Sequence, residues 1–291
     1  MTIPMSLAVG RLLVLVGLLV LPVGLRAQGG PVALEVDYTA PDGYVARPEG
    51  GMLWMTPQVP GPVSPPCLYA LMPPRPSKGS LDADAEAALG ETAAAGMQRS
   101  SDYRIARRGV AAAGWPYSLV GGNFSGQNAA GGFVNLAVMV MVFPAPANRV
   151  NVIFGVGNPA ECFFNDVPFV QLFHSLRPHG WSSPAGSALE RDLIGRWEGR
   201  MLSGHTFDAN GRYSRSAAGL LHGDAISAEP DGRYTLRGSE VTTTTRAGRA
   251  QERFRVYISD KWNNGRWERT MTVLYDDQRP PSVAEFVRVG Q

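Results

Sequence analysis

The hydrophobic pattern of this chain changes period twice before it settles into short alternating runs. Val32, Leu34, Val36 and Tyr38 alternate with Ala33, Glu35 and Asp37, the period of a half-buried strand. Ala40-Pro41-Asp42-Gly43 reads as a turn, and Gly51–Met55 and Cys67–Met72 read as further strands. The proline-rich stretch between them, Pro57 to Pro66, does not suit a sheet interior. Leu81, Ala85, Ala88, Leu89 and Thr92 then recur at helical spacing, with Ser80 as cap and Asp82, Asp84 and Glu86 near the positive end of the helix dipole. This predicts a helix over Ser80–Met97. Four strands follow, Tyr103–Val110, Trp115–Phe124, Gly132–Phe143 and Arg149–Gly155. The third contains Val138-Met139-Val140-Met141-Val142, apolar on both parities, and so should be covered on both faces. A second helix is expected within Ala160–Arg177, with Pro168 in its first turn and Phe169, Phe173 and Leu176 on its apolar face.

Beyond a linker-like Ser182-Ser183-Pro184-Ala185-Gly186-Ser187, the period is two almost throughout. Gly-Arg-aromatic occurs at Gly195-Arg196-Trp197, Gly211-Arg212-Tyr213, Gly232-Arg233-Tyr234 and Gly265-Arg266-Trp267. The last three follow Asn210, Asp231 and Asn264, which marks them as hairpin turns that need positive φ. The expected strands are Arg196–Ser203, His205–Phe207, Arg212–Gly219, Arg233–Gly238, Glu240–Ala247, Ala250–Ser259, Arg266–Asp276 and Ser282–Val289. So many short antiparallel strands imply a small barrel or a curled sheet.

The expected fold class is therefore α+β: an antiparallel-sheet domain with two helices, followed by a small antiparallel β-barrel. The expected organisation is a signal peptide over 1–27, an α+β domain over 28–180, a linker over 181–192 and a barrel over 193–291. The first domain resembles the PsbP/Mog1/DcrB-like group in its Pro41–Tyr44 turn, its Ala-rich helix before a meander, and a closing helix ending in Phe173-His174-Ser175-Leu176. That resemblance implies a scaffold or adaptor. In the second domain, a turn of helix followed by Gly195-x-Trp197 resembles the opening of lipocalins and other calycin barrels. It implies that Trp197 closes the barrel bottom beneath a basic side chain of the last strand, assigned to Arg288. Gly195, Trp197 and Arg288 would then be structural. The domain is shorter than a full lipocalin, and Tyr275-Asp276-Asp277 matches the later family motif only loosely. A shorter barrel can fill its interior with side chains and hold no ligand.

Composition adds an address. Met1–Ala27 has Arg11, an apolar run over Leu12–Leu21 interrupted only by Gly17, breakers at Pro22 and Gly24, and Ala27 at the end. This is the pattern of a cleaved secretory signal, shorter than the roughly 20 residues of a membrane span; an uncleaved anchor is the alternative. Cleavage would remove Arg11 and Arg26 from the 27 bases and none of the 25 acids, leaving the mature chain formally neutral. That balance argues against nucleic acid or an anionic membrane as the main partner. Lysine occurs only at Lys78 and Lys261, a compositional bias that points to a GC-rich bacterium. In an oxidising compartment Cys67 and Cys162 read first as a disulfide, about 4 kcal/mol in the loop-entropy model; two separate buried thiols are the alternative.

Chemistry is harder to find. No glycine pattern precedes a helix as a phosphate loop, and no Gly-x-Ser-x-Gly stands between strand and helix. His174 and His179 have the wrong spacing for one helix face, and His222-Gly223-Asp224 is an isolated pair. Arg246, Arg249, Arg253 and Arg255 cluster around one hairpin, either as a site for an anionic headgroup or a peptide carboxylate or as charges guarding a sheet edge, the second being preferred. The reading is a non-enzymatic, extracytoplasmic bacterial binding or adaptor protein with no cofactor and no metal. The alternative is a carrier of a small apolar ligand in the barrel, with Tyr213, Tyr234, Trp267 and Met271 as possible lining. A hydrolase using His222 and Asp224 ranks last.

Overall fold

The computed structural model describes residues 32–58, 67–93, 97–127, 132–158, 166–182, 188–199, 203–216, 232–245 and 247–290. The signal-like segment, Cys162, His222, Asp224, Arg246 and most of the linker-like stretch lie outside them. The described residues are mostly strand, so α+β holds only in a broad sense. They fall into two compact units. One is drawn from Met1–Ala106, Tyr117–Asp166 and Ser175–Gly180, the other from Arg107–Pro116, Val167–His174 and Trp181–Gln291. No described helix is long and apolar enough to cross a membrane.

In the first unit, β1 (Val36–Asp37) pairs with β9 (Arg177–Pro178) as a short ribbon. The main sheet is antiparallel. It contains β2 (Tyr44–Glu49), β3 (Met52–Pro57), β4 (Leu68–Pro76), β8 (Arg149–Gly157), β7 (Phe133–Ala145) and β6 (Pro116–Gln127) in that order, with β5 (Gln98–Val110) beside β6. Helix α1 (Leu81–Ala93) starts where expected, directly after Ser80, and Met97, the expected last residue, is not helical. Ser80 Oγ accepts the Ala83 amide at 3.2 Å, which caps the helix. The buried Asp84 carboxylate accepts the Ser77 hydroxyl at 2.7 Å and the Lys78 amide at 2.6 Å, tying the helix to the end of β4. The helix packs across β7 and β8 through Ala85, Ala88 and Leu89. Val138–Phe143 of β7 are buried without alternation, as a strand covered on both faces must be.

The second unit contains an up-and-down barrel. Its strands are β10 (Gly195–Gly199), β11 (Gly204–Phe207), β12 (Arg212–Ser216), β13 (Gly232–Arg237), β14 (Glu240–Thr244), β15 (Ala250–Asn263), β16 (Arg266–Tyr275) and β17 (Ser282–Val289). Each pairs antiparallel with the next, and β17 returns to β10, so the eight strands close. The turns follow the sequence at two of the three Asx-preceded Gly-Arg-aromatic copies. Asp208 accepts the amides of Asn210 and Arg212 at 2.8 Å, and Gly211 has φ 76°. Asn264 and Gly265 both have positive φ, 47° and 86°, as a two-residue hairpin demands. The third copy is different. Gly232 lies within β13 opposite Tyr213 and outside the left-handed region. Glycine is needed there because a Cβ would stand 1.9 Å from the Thr244 carbonyl oxygen.

Strand β15 is shared. Its first half, Ala250–Arg255, closes the barrel against β14, and Ile258–Lys261 then pair with Val110–Arg107 of β5. Arg107 is buried there and donates to Glu285 of β17, which also accepts from Lys261 Nζ at 2.7 Å. Helix α2 (Val167–Ser175) buries Phe173 against Trp115 and Tyr257, with ring centroids 5.4 and 4.8 Å apart.

Candidate functional site in the barrel

Alternation aims one side chain in two at the barrel axis. The inward residues form one contiguous core that includes Trp197, Phe207, Tyr213, Tyr234, Phe254 and Met271. Leu193, at the end of the short helix α3 (Ala188–Leu193), joins this core.

The end nearest α3 is built by Gly195, Trp197 and Arg288. Trp197 is fully buried and donates from Nε1 to the Leu193 carbonyl at 2.8 Å. Arg288 lies opposite it in register, with its guanidinium carbon 5.7 Å from the indole centroid, and donates to the Ile194 carbonyl at 2.8 Å. Gly195, at φ 140°, leaves the space that Arg288 fills: a Cβ there would lie 3.1 Å from Arg288 Nε. The geometry thus brings together the three residues that the lipocalin resemblance singles out.

His205 stands within the barrel. It is buried, stacks on Phe207 and meets Phe286 edge-on, with ring centroids 6.1 and 4.6 Å away. Its Nδ1 lies 2.8 Å from the Tyr213 hydroxyl and its Nε2 3.3 Å from the Tyr275 hydroxyl. Burial, aided by the positive charge of Arg215, lowers the imidazole to about 3. A neutral imidazole offers one N–H and one lone pair, so one phenol donates to it and the other accepts. Burial also raises Tyr275 to about 12. Beyond this chain Arg215 donates to Glu252, both partly exposed. Sequence reasoning gave His205 no role, yet one signal pointed to it: it shares the inward parity of Phe207 two residues on.

Of the four residues proposed as ligand lining, Tyr213, Tyr234 and Met271 meet in this core. Trp267 does not. It is 38% exposed, paired across the β15–β16 hairpin with Trp262 and covered by Arg108, whose guanidinium carbon is 4.3 Å from a ring centroid. It continues the inward parity of Met271, but the hairpin carries it past the last row of the barrel core. Cys67 is buried with its sulfur 3.2 Å from Asp166 Oδ2; its proposed partner is not among the described residues. His174 is buried between Phe173 and Tyr257, and His179 lies 3.1 Å from the Asp37 carboxylate. Among the described residues no three His, Cys, Asp or Glu side chains gather as metal ligands.

No protein-family model matches the chain, and no curated protein is significantly similar to it in sequence.

Proposed function

We propose that this chain is a non-catalytic, extracytoplasmic binding protein whose lipocalin-like barrel is a packed scaffold, binding through its outside. One observation carries the reading: the barrel axis is occupied by the protein's own side chains, from Trp197 through Phe207, Phe254 and Met271. A carrier of an apolar ligand needs that space for its cargo. The up-and-down order that closes the last strand on the first, with Arg288 against Trp197, supports the lipocalin-like assignment. The strands, helix and meander of the first unit support the PsbP/Mog1-like reading in part; the closing helix expected for that group falls in the second unit. The signal-like start supports export.

Native mass spectrometry of the protein purified from a bacterial envelope fraction tests this. The expected mass is that of the chain from residue 28 onward, with no adduct. A stoichiometric small molecule that survives desolvation would overturn the scaffold reading in favour of the carrier.

A further inference from the structure

The outward face of β12–β15 gathers arginine. Buried Tyr213, Tyr234, Thr243 and Phe254 fix the parity, so Arg212, Arg233, Thr242 and Arg253 point away from the axis. Arg212, Arg233, Arg237 and Arg253 are exposed. Arg212 lies directly opposite Arg233, and Arg253 opposite Thr242. Among the described residues two carboxylates share the face. Glu240 sits in register between Arg237 and Arg255, and Asp276 is taken by Arg255 at 2.5 Å. Asp208, beside Arg212, accepts backbone amides. Among the described residues Arg212, Arg233 and Arg253 form no ion pair.

Two observations argue that this charge has a partner. Outward charges commonly guard an open sheet edge. Here β14 is paired on both sides, to β13 and β15, so the barrel has no edge at this place to guard. Like charges directly opposite one another, as Arg212 and Arg233 are, also cost stability.

We propose that this face binds an anionic phospholipid surface, an inference that rests on the reading of the barrel as a scaffold that binds through its outside. The shape selects the partner. Its described residues lie on the outside of a closed barrel, a convex surface suited to a broad partner more than to one enclosed small anion. Its arginines spread over β12, β13 and β15 in two dimensions, not along one line that a polymer would follow. Spaced phosphate headgroups match a spaced array of guanidinium forks, with Thr235 and Thr242 as hydroxyl donors between them. Among the described residues of the second unit the exposed large apolar side chains, Val110, Trp181 and Trp267, lie off these strands, so contact is assigned to headgroups. The near-neutral balance of the whole chain argues against a membrane partner on net charge; what favours one is the local excess of Arg212, Arg233 and Arg253 over carboxylates among the described residues of this face.

Sedimentation of the full chain with phosphatidylcholine vesicles, with and without phosphatidylglycerol, tests the proposal. Binding is expected only with phosphatidylglycerol, and is expected to vanish near 0.5 M salt, where the Debye length is only about 4 Å. Each arginine is worth about fivefold, so the Arg233→Glu/Arg253→Glu variant should bind at least about 25-fold more weakly. The milder Arg233→Gln/Arg253→Gln variant should also weaken binding, and serves if the reversal unfolds the barrel. Equal binding to both vesicle types, binding to neither, unchanged affinity of the variants, or tighter binding to duplex DNA than to vesicles would each overturn it. A ligand found in native mass spectrometry strikes the scaffold reading; failure on vesicles by a ligand-free protein strikes this inference alone.

Discussion

The guanidinium of Arg288 occupies the space that the missing side chain of Gly195 leaves open, and from there it both stacks on Trp197 and reaches the Ile194 carbonyl. The three positions are therefore energetically coupled. Arg288→Ala should cost about 1–3 kcal/mol by loss of stacking and of a charge-assisted bond. Gly195→Ala should also destabilise, through its φ of 140° and its contact with Arg288. In a double-mutant cycle followed by urea denaturation, the two costs should sum to more than the double variant shows. Strict additivity would refute the coupling.

The four Gly-Arg-aromatic copies can be told apart by replacing their glycines. Gly265→Ala meets open space and suffers only the backbone penalty, about 1 kcal/mol. Gly232→Ala drives a Cβ into the Thr244 carbonyl oxygen and should separate β13 from β14. A loss of more than about 3 kcal/mol, or failure to fold, is expected for it. Thermal unfolding of the two variants side by side decides the order.

His205 sets an acid limit on stability. Its native value of about 3 lies below the ordinary 6.5, so the unfolded chain takes up a proton that the native barrel refuses. Above pH 6.5 this costs nothing. As pH falls from 6.5 towards 3, the barrel should lose on the order of 1.4 kcal/mol per pH unit from this group alone. His205→Gln should be less stable at pH 7 yet show a shallower fall between pH 6 and about 4. Parallel slopes for the two proteins would show that His205 is not responsible.

Arg107 and Glu285 should behave as a buried pair. Arg107 is 1% exposed and Glu285 19%, and the arginine holds its partner ionised: the Glu285 carboxyl lies below its ordinary range despite the opposing effect of burial. Glu285→Gln leaves a charged guanidinium in the interior and should cost about 3–5 kcal/mol. Arg107→Met with Glu285→Leu should recover much of that loss. Denaturation midpoints of the single and double variants provide the check.

The barrel was legible because its signals are local. Every strand expected after residue 195 has a counterpart, and the turns at Gly211 and Gly265 follow from Asn-Gly chemistry. What was not legible depends on neighbours distant in sequence. Gly232 looked like a turn glycine, and only the approach of Thr244 reveals its steric purpose. Strand β15 runs on through Asp260 and Lys261 to Asn263, past the expected end at Ser259, because β16 and β5 supply partners that its polar sequence does not announce. Strand β2 was missed because Arg47-Pro48-Glu49 break its alternation, which an edge strand tolerates. The expected first strand shrinks to Val36–Asp37, since only these residues find a partner. Periodicity says that Phe173 is buried, but not that Trp115 and Tyr257 bury it.

The clasp between Arg107 and Glu285 has a consequence for synthesis. The two residues are separated by 178 positions. Translation at about 5–20 residues per second therefore leaves Arg107 waiting roughly 9–36 seconds before Glu285 is made. The eight barrel strands, by contrast, follow one another closely and can zip up from local hairpins as they emerge. If the meander forms first, the older segment carrying Arg107 docks onto β15 afterwards and gains its ion pair only once Glu285 is made. A holding factor that shields that segment during the interval would act on residues 107–116, and a nascent chain halted before Glu285 should remain sensitive to protease there.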